Sequence, residues 1–431
     1  MSQPHQVVIL GGGFGGLVAT QTLKRADVEI TLLDKRNFHL FQPLLYQVAT
    51  GSLSPAEIAA PIRAVLRHQK NVEVLLGEAM DIDPQAKKVI LADGGVFPYD
   101  TLVIATGSQT SYYGKDEWRE SAPSLKTVEE ATAMRRKMLY AFERAERAES
   151  AGDARAWLNF VIIGAGATGL ELAGALAEIA HETLKQDFRR IRPQAARIVL
   201  MEGGPRVLSA YPEDLSAKAE ALVRKLKVEV MLGAFVTNID KEGVSYQHND
   251  VIGHIPARTV LWAGGVTATP FARKVAERLS AETDRVGRFK VNPDLTVPGH
   301  PEVFVVGDLA LSCDEKGKQL PGVAQVAIQG GRHVGNAIKA RLAGKPVPPF
   351  RYFDKGDMAV IGRAAAVANV FGLHVSGFLA WMIWVFIHLV YIVEFQSRIL
   401  VMIEWGFLYL TFSRRARLIT NGPAGPPPRD D

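Results

Sequence analysis

Val7-Val8-Ile9-Leu10-Gly11-Gly12-Gly13-Phe14-Gly15-Gly16 and, about one domain later, Val161-Ile162-Ile163-Gly164-Ala165-Gly166-Ala167-Thr168-Gly169 are two copies of one design in a chain of 431 residues. Each reads as a short apolar strand, then G-x-G-x-x-G, then a run of helix formers. In such a turn the first glycine makes the tight bend. The second lets backbone approach a pyrophosphate, and the third lets helix pack on strand. The anion then rests on backbone N–H groups at a helix N-terminus. Two of these turns, each between strand and helix, imply two dinucleotides and an electron passing between them. The expected fold is α/β, with two Rossmann-like dinucleotide-binding domains.

Each unit carries an acid-ended second strand. Glu29-Ile30-Thr31-Leu32-Leu33 leads to Asp34, 23 residues after Gly11. Ile198-Val199-Leu200-Met201 leads to Glu202, 38 residues after Gly164. A carboxylate there hydrogen-bonds the adenosine ribose hydroxyls. The second spacing is long, and a lengthened helix and loop over Ala180 to Gln194 accounts for it. A carboxylate at Glu202 repels a 2′-phosphate, which favours NADH over NADPH. The first unit closes with Thr101 to Ile104 and the turn Ala105-Thr106-Gly107. The second closes with Thr259 to Trp262 and the turn Ala263-Gly264-Gly265. Val303 to Asp308 forms a further strand and turn, assigned back to the first domain, so that the second unit is an insertion in the first. The expected boundaries are 1–112 with 290–365 for the first domain and 113–289 for the second.

Other residues admit two readings. Asp308 follows a glycine at a strand end, where it holds a ribityl hydroxyl or caps a helix. Glu171 follows the third glycine of the second motif by two residues. It is expected in the first helical turn, where the macrodipole stabilises a carboxylate whatever its function; the other reading points it at the nicotinamide end of a bound nucleotide. Gln325 and Gln329 are four apart and share one helical face. They are surface amides or donors to a ligand carbonyl. His39, within Phe38-His39-Leu40-Phe41, reads as a packed histidine.

Composition excludes several classes. Net charge is +5, with 48% hydrophobic and 22% charged residues. Arg189, Arg190 and Arg192, with Arg414, Arg415 and Arg417, form basic patches, but no nucleic-acid reader accompanies them, and an anionic membrane surface suits them better. Residues 127–149 read as a solvated charged helix. The single cysteine, Cys313, allows neither a disulfide nor a dithiol pair, and no metal-ligand spacing is present. Met1 to Gln6 is polar, with no secretory signal. Phe378 to Val393 and Ile399 to Phe412 are apolar runs interrupted by Glu394 to Arg398 and by Glu404. Sixteen helical residues span about 24 Å, short of a ~30 Å hydrocarbon core. The two runs are therefore expected to lie in one leaflet, with Trp381, Trp384, Trp405 and Tyr409 at the interface. Gly422 to Asp431 reads as a disordered tail.

Together these residues resemble the type II NADH dehydrogenases, single-subunit NADH:quinone oxidoreductases that pump no protons. The resemblance runs from Val7 to about Ile419. Its more specific parts are Pro43-Leu44-Leu45-Tyr46-Gln47-Val48-Ala49-Thr50-Gly51 and Ala324-Gln325-Val326-Ala327-Ile328-Gln329. It implies a two-dinucleotide flavoprotein fold with membrane-anchoring helices over 366–420 and a tail over 421–431. It implies non-covalent FAD on Gly11, Gly13, Phe14, Gly15, Gly16, Asp34, Lys35, Ala105, Thr106, Gly107, Asp308 and Ala324. NADH is implied on Gly164, Gly166, Thr168, Gly169, Glu202 and Gly264. Glu171 and Gln325 are implied as catalytic. Tyr46, Gln325 and Gln329 are implied as quinone-binding. The resemblance further implies a membrane quinone, a lipid bilayer surface and a homodimer, on the cytoplasmic face of a respiratory membrane. The alternatives are a soluble-acceptor NADH-dependent flavin reductase and a flavoprotein like apoptosis-inducing factor. Disulfide reductases and sulfide:quinone reductases need a cysteine pair that this chain does not have.

Overall fold

Apolar runs that alternate with glycine-led helices produce parallel sheet, and the chain follows that rule twice. The computed structural model describes residues 4–420. In chain order, β1 (His5–Leu10), α1 (Phe14–Thr22) and β2 (Val28–Asp34) form the first strand–turn–helix–strand unit. The short helix α2 (Leu45–Ala49) precedes β3 (Val72–Leu76) and β4 (Thr101–Ile104). Then come α3 (Val128–Glu146), β5 (Asn159–Ile163), α4 (Ala167–Glu178), β6 (Arg197–Glu202), β7 (Val228–Leu232) and β8 (Thr259–Trp262). The chain continues through β9 (His300–Val305) and α5 (Ala324–Leu342) to a hairpin sheet of β10 (Met358–Gly362), β11 (Ala365–Val370) and β12 (Leu373–Gly377). It ends in α6 (Phe378–Tyr391) and α7 (Phe395–Thr411).

The chain divides into two compact units. Unit 1 comprises residues up to 40, 59–109 and 266–353. Its sheet runs β9-β4-β1-β2-β3, all parallel, with Thr296–Val297 antiparallel at the β9 edge. Residues 7–10 of β1 and 102–104 of β4 are continuous buried apolar runs, as expected of a parallel sheet covered on both faces. Val8, Leu10, Leu33, Leu102, Ile104, Val303 and Phe289 share one core with Ala268, Ala272 and Val275.

Unit 2 comprises 41–58, 110–265 and the residues from 354 onward. Its parallel sheet runs β7-β6-β5-β8. The helix α3 starts at a capping box, in which Thr127 and Glu130 each accept from the other's backbone N–H. It is not the solvated helix its charge suggested. Ala131, Met134, Met138, Ala141 and Phe142 are buried, with Arg135 among them, and the most exposed charges lie elsewhere on the helix.

These units redraw the expected boundaries. Residues 266–289 belong to unit 1, because Ala268, Ala272, Val275 and Ala276 are core partners of β1 and β4. Residues 41–58 belong to unit 2, although they follow the first motif. The C-terminal helices are also part of unit 2 rather than an appendage to it. No helix among the described residues is long and apolar enough to cross a membrane. The expected disordered tail lies outside the described residues.

Candidate functional site

Both glycine turns have the geometry that their sequence demands. Gly11 and Gly164 each adopt φ +100°, a region that favours glycine. A Cβ on Gly16 or Gly169 would collide with the carbonyl oxygen of Gly11 or Gly164, so the third glycine is fixed by close packing. The middle glycines, Gly13 and Gly166, face open space. That is where a pyrophosphate needs room, at the N-termini of α1 and α4.

The two acids repeat each other. Asp34 Oδ2 accepts from Gly12 N at 2.5 Å, and Asp34 Oδ1 accepts from Arg36 N at 2.7 Å. Glu202 Oε2 accepts from Ala165 N at 2.8 Å, and Glu202 Oε1 accepts from Gly204 N at 2.8 Å. The late Glu202 is reached through a π-helical turn at Ile179–Thr183 and a 3-10 turn at Pro193–Ala195, the insertion its spacing required. Each acid is thus held against its glycine turn with acceptor capacity left for ribose hydroxyls. The turns, open middle glycines and paired carboxylates fit one dinucleotide per unit.

In unit 1, Asp308 lies in the turn Gly307–Leu309 after β9 and accepts from Ser108 Oγ at 2.6 Å. Ala324 and Gln325 open α5. Gln329 is committed locally, since its amide donates to Phe353 O and accepts from Phe353 N, both at 2.9 Å. His39 is the packed histidine expected, with Nδ1 2.9 Å from Gly12 O and its ring edge-on to Phe14. Lys35 pairs loosely with Glu78 at 3.8 Å.

Unit 2 holds a cavity of about 70 Å³, partly open to solvent. Tyr46, Gln47, Glu171, Glu178, Val360, Trp381, Trp384, Trp405, Tyr409 and Arg414 are among its lining residues. Tyr46 and Glu171, assigned from separate motifs, therefore meet in one chamber. Glu171 is the fifth residue of α4, beyond the first helical turn, so the macrodipole does not account for it. Gly174, one turn on, lets the Ile361 carbonyl approach so closely that no Cβ fits. This brings β10 onto α4, and the Glu171 carboxyl accepts a bond from the Val360 backbone. Burial pushes the Glu171 carboxyl well above the ordinary carboxylate range. Burial, reinforced by Glu171, likewise raises the Tyr46 phenol.

The rear of the chamber is an ion-pair network. Arg414 is 3% exposed. It pairs with Glu178 at 2.8 Å and donates to Thr50 Oγ1 at 3.3 Å and to the Ser52 hydroxyl. Glu178 Oε1 accepts from Arg363 N at 2.5 Å. Burial lowers the Arg414 pKa, and Glu178 opposes that shift.

This corrects three expectations. Arg414 does not face headgroups but locks the C-terminal segment to α4 and the Thr50–Ser52 turn. Arg417 is paired with Asp187 at 2.7 Å. Trp384 and Trp405 are 2% and 7% exposed and wall the cavity instead of lying at an interface. The sequence carried one faint sign of the network. Glu171 and Glu178 are seven residues apart, and so lie on one face of α4. Nothing local marks Arg414 or Trp405 as their neighbours.

Residues 5–331 match the family model described as pyridine nucleotide-disulphide oxidoreductase. Two curated relatives from Mycobacterium tuberculosis are named type II NADH:quinone oxidoreductase Ndh and NdhA. They are 44% and 45% identical, over 97% of this chain and 91% and 90% of their own lengths. Among solved structures, NDH2 of Plasmodium falciparum in complex with NADH superimposes with a TM-score of 0.88 at 19% identity, covering 97% of this chain and all of that one.

Proposed function

The chain belongs to the pyridine nucleotide-disulphide oxidoreductase family and, within it, to the type II NADH:quinone oxidoreductases, and on that premise we propose that the unit 2 cavity receives the quinone. It oxidises NADH and reduces a quinone. The reading of the cavity rests on one observation: the carboxyl of Glu171 and the phenol of Tyr46 line the same chamber as four aromatic residues of the C-terminal apolar helices.

We propose FAD in the Gly11 turn of unit 1, with Gly13, Gly15, Asp34, Thr106, Gly107, Asp308 and Ala324 around it. NADH takes the Gly164 turn of unit 2, with Gly166, Thr168, Gly169, Glu202 and Gly264. The open middle glycines and the two turn-bound carboxylates support this pairing. FAD bound there would supply the two-electron hydride chemistry that links NADH to the quinone. The protein's own work is to hold and to protonate. Glu202 accepts ribose hydroxyls and repels a 2′-phosphate.

Quinone reduction takes up two electrons and two protons. The balance NADH + H⁺ + quinone → NAD⁺ + quinol needs one proton beyond the hydride. Burial favours the protonated form of the Glu171 carboxyl, which makes Glu171 the group that holds a proton inside the cavity, next to a phenol that burial keeps neutral. Two hydrogen donors then face a carbonyl oxygen on which negative charge grows. This assigns Glu171 to the acceptor side rather than to the nicotinamide. The motif at Gln325 implies a carbonyl donor, but Gln325 belongs to unit 1 and is not among the residues that line this cavity. For Gln329 the bonds to Phe353 speak against that role.

The outward faces of α6 and α7 expose Phe378, Met382, Phe386, Phe395, Met402, Phe407 and Leu410. Such a face supports attachment within one leaflet, where a water-insoluble quinone resides. The cytoplasmic side and a homodimer follow from the resemblance alone. The deciding experiment is anaerobic stopped flow. Glu171→Gln should leave flavin bleaching by NADH near the wild-type rate and slow reoxidation by a short-chain quinone tenfold or more. The opposite pattern would return Glu171 to the nicotinamide.

A further inference from the structure

Three buried side chains form a chain of hydrogen bonds that ends at the cavity. Trp405 Nε1 donates to Gln47 Oε1 at 2.7 Å, and Gln47 Nε2 donates to Tyr46 Oη at 2.9 Å. Tyr46, Gln47 and Trp405 are 6%, 5% and 7% exposed. The directions of these bonds are fixed by chemistry. An indole N–H is a donor only, so the Gln47 atom facing it is the oxygen. A planar amide then turns its NH₂ the other way, onto the phenol. The phenol oxygen accepts that bond, so its single hydrogen lies on the side away from Gln47. No second partner for the hydroxyl is found among the described residues.

We infer that Trp405 and Gln47 are positioning residues: the indole fixes the Gln47 amide, and the amide makes the Tyr46 hydroxyl a hydrogen donor facing the cavity, matched to the acceptor-only carbonyl of a quinone. The inference rests on the reading of this cavity as the quinone site. A hydroxyl free to rotate would divide its time between donating and accepting. Locked by Gln47, it loses no rotational freedom when a carbonyl arrives, which strengthens the bond formed. Burial keeps the phenol protonated, as a donor must be. The device also gives α7 a part in substrate recognition at a distance of 358 residues in sequence.

The test is a double-mutant cycle on the FAD-loaded full chain, with a short-chain 1,4-benzoquinone as probe. Gln47→Glu keeps the acceptor for Trp405 but replaces the donor NH₂ with an oxygen that accepts from Tyr46, and so turns the phenolic hydrogen away from the cavity. Gln47→Met removes the donor without adding a charge and serves if the buried carboxylate disturbs folding. Each should weaken binding of the quinone to the oxidised protein by about threefold to tenfold. Flavin bleaching by NADH should stay within about twofold of wild type. In a Tyr46→Phe background, either Gln47 change should add nothing, because the relay acts only through the hydroxyl. Trp405→Phe should lose less than Gln47→Met when Tyr46 is intact, and nothing further in the Tyr46→Phe background. Losses that multiply across the cycle would overturn the relay. So would Gln47 variants that bind quinone normally while Tyr46→Phe weakens it. If Tyr46→Phe leaves quinone binding unchanged, the cavity reading itself fails.

Discussion

Arg414→Met removes a guanidinium from a place where three oxygen acceptors converge. Glu178 loses its ion pair, and the Thr50 and Ser52 hydroxyls lose a donor. The Glu178 side chain is 11% exposed, so its charge would stay largely buried. Removing one partner of a buried pair typically costs about 3–5 kcal/mol, because the other charge is left uncompensated. The surviving bond from Arg363 N to Glu178 at 2.5 Å, and the similar volume of methionine, place this case at the low end, about 3 kcal/mol. Against a total stability of about 5–15 kcal/mol that is a large share. Thermal and urea unfolding of the purified holoprotein measure it. Adding Glu178→Gln to Arg414→Met should recover more than half of the loss, since no orphan charge remains. The difference should also change little between low salt and about 0.5 M salt, because a buried pair is weakly screened. A single variant within about 1 kcal/mol of wild type would refute the argument. A double variant no better than the single would refute it too.

Glu202→Gln should narrow the preference for NADH over NADPH by about 1–3 kcal/mol in kcat/KM, and equal use of both by the wild type would remove Glu202 from that role. Glu171 should also leave a mark on stability. Its folded pKa is raised, so its favourable contribution is full below the ordinary carboxyl value of 4.5 and is lost as pH rises through the raised value. Glu171→Gln cannot titrate, so its melting temperature should gain on wild type as pH increases, and parallel curves would contradict the assigned shift. Leu410→Asp with Phe407→Ser, both on exposed positions of α7, should reduce flotation with anionic lipid vesicles while leaving the melting temperature within about 2 °C. Unchanged flotation would move the attachment surface elsewhere.

The two dinucleotide folds were legible because their signals are local. A strand, a glycine turn and an acid at the next strand's end lie within about 40 residues, and backbone sterics leave them one arrangement. Even the long path to Glu202 showed as a spacing excess, and the π-helical turn at Ile179–Thr183 is where it lies. The cavity was legible only in halves. Tyr46 and Glu171 could be named from motifs, but nothing in either motif brings them together. What does so is the approach of β10 to Gly174 and the return of Trp405 and Arg414, contacts between segments far apart in sequence. The arginines near 414 read as a basic patch because sequence counts charges without their partners. The tryptophans read as interfacial because an aromatic residue on an apolar helix suits a membrane boundary and a cavity wall equally well.

The closing of unit 2 by Trp405 and Arg414 also sets an order of events during synthesis. Gln47 and Thr50 leave the ribosome some 358 and 364 residues before the partners that complete them. At about 5–20 residues per second, that is an interval of roughly 20–70 s. Through that time the Tyr46 hydroxyl has no fixed direction, and Glu178, made 236 residues before Arg414, then waits without its guanidinium. The apolar faces of α6 and α7 arrive in the same final stretch that brings Trp405 and Arg414. The chamber proposed for the quinone and the apolar surface proposed to meet a membrane are therefore completed by the same segment.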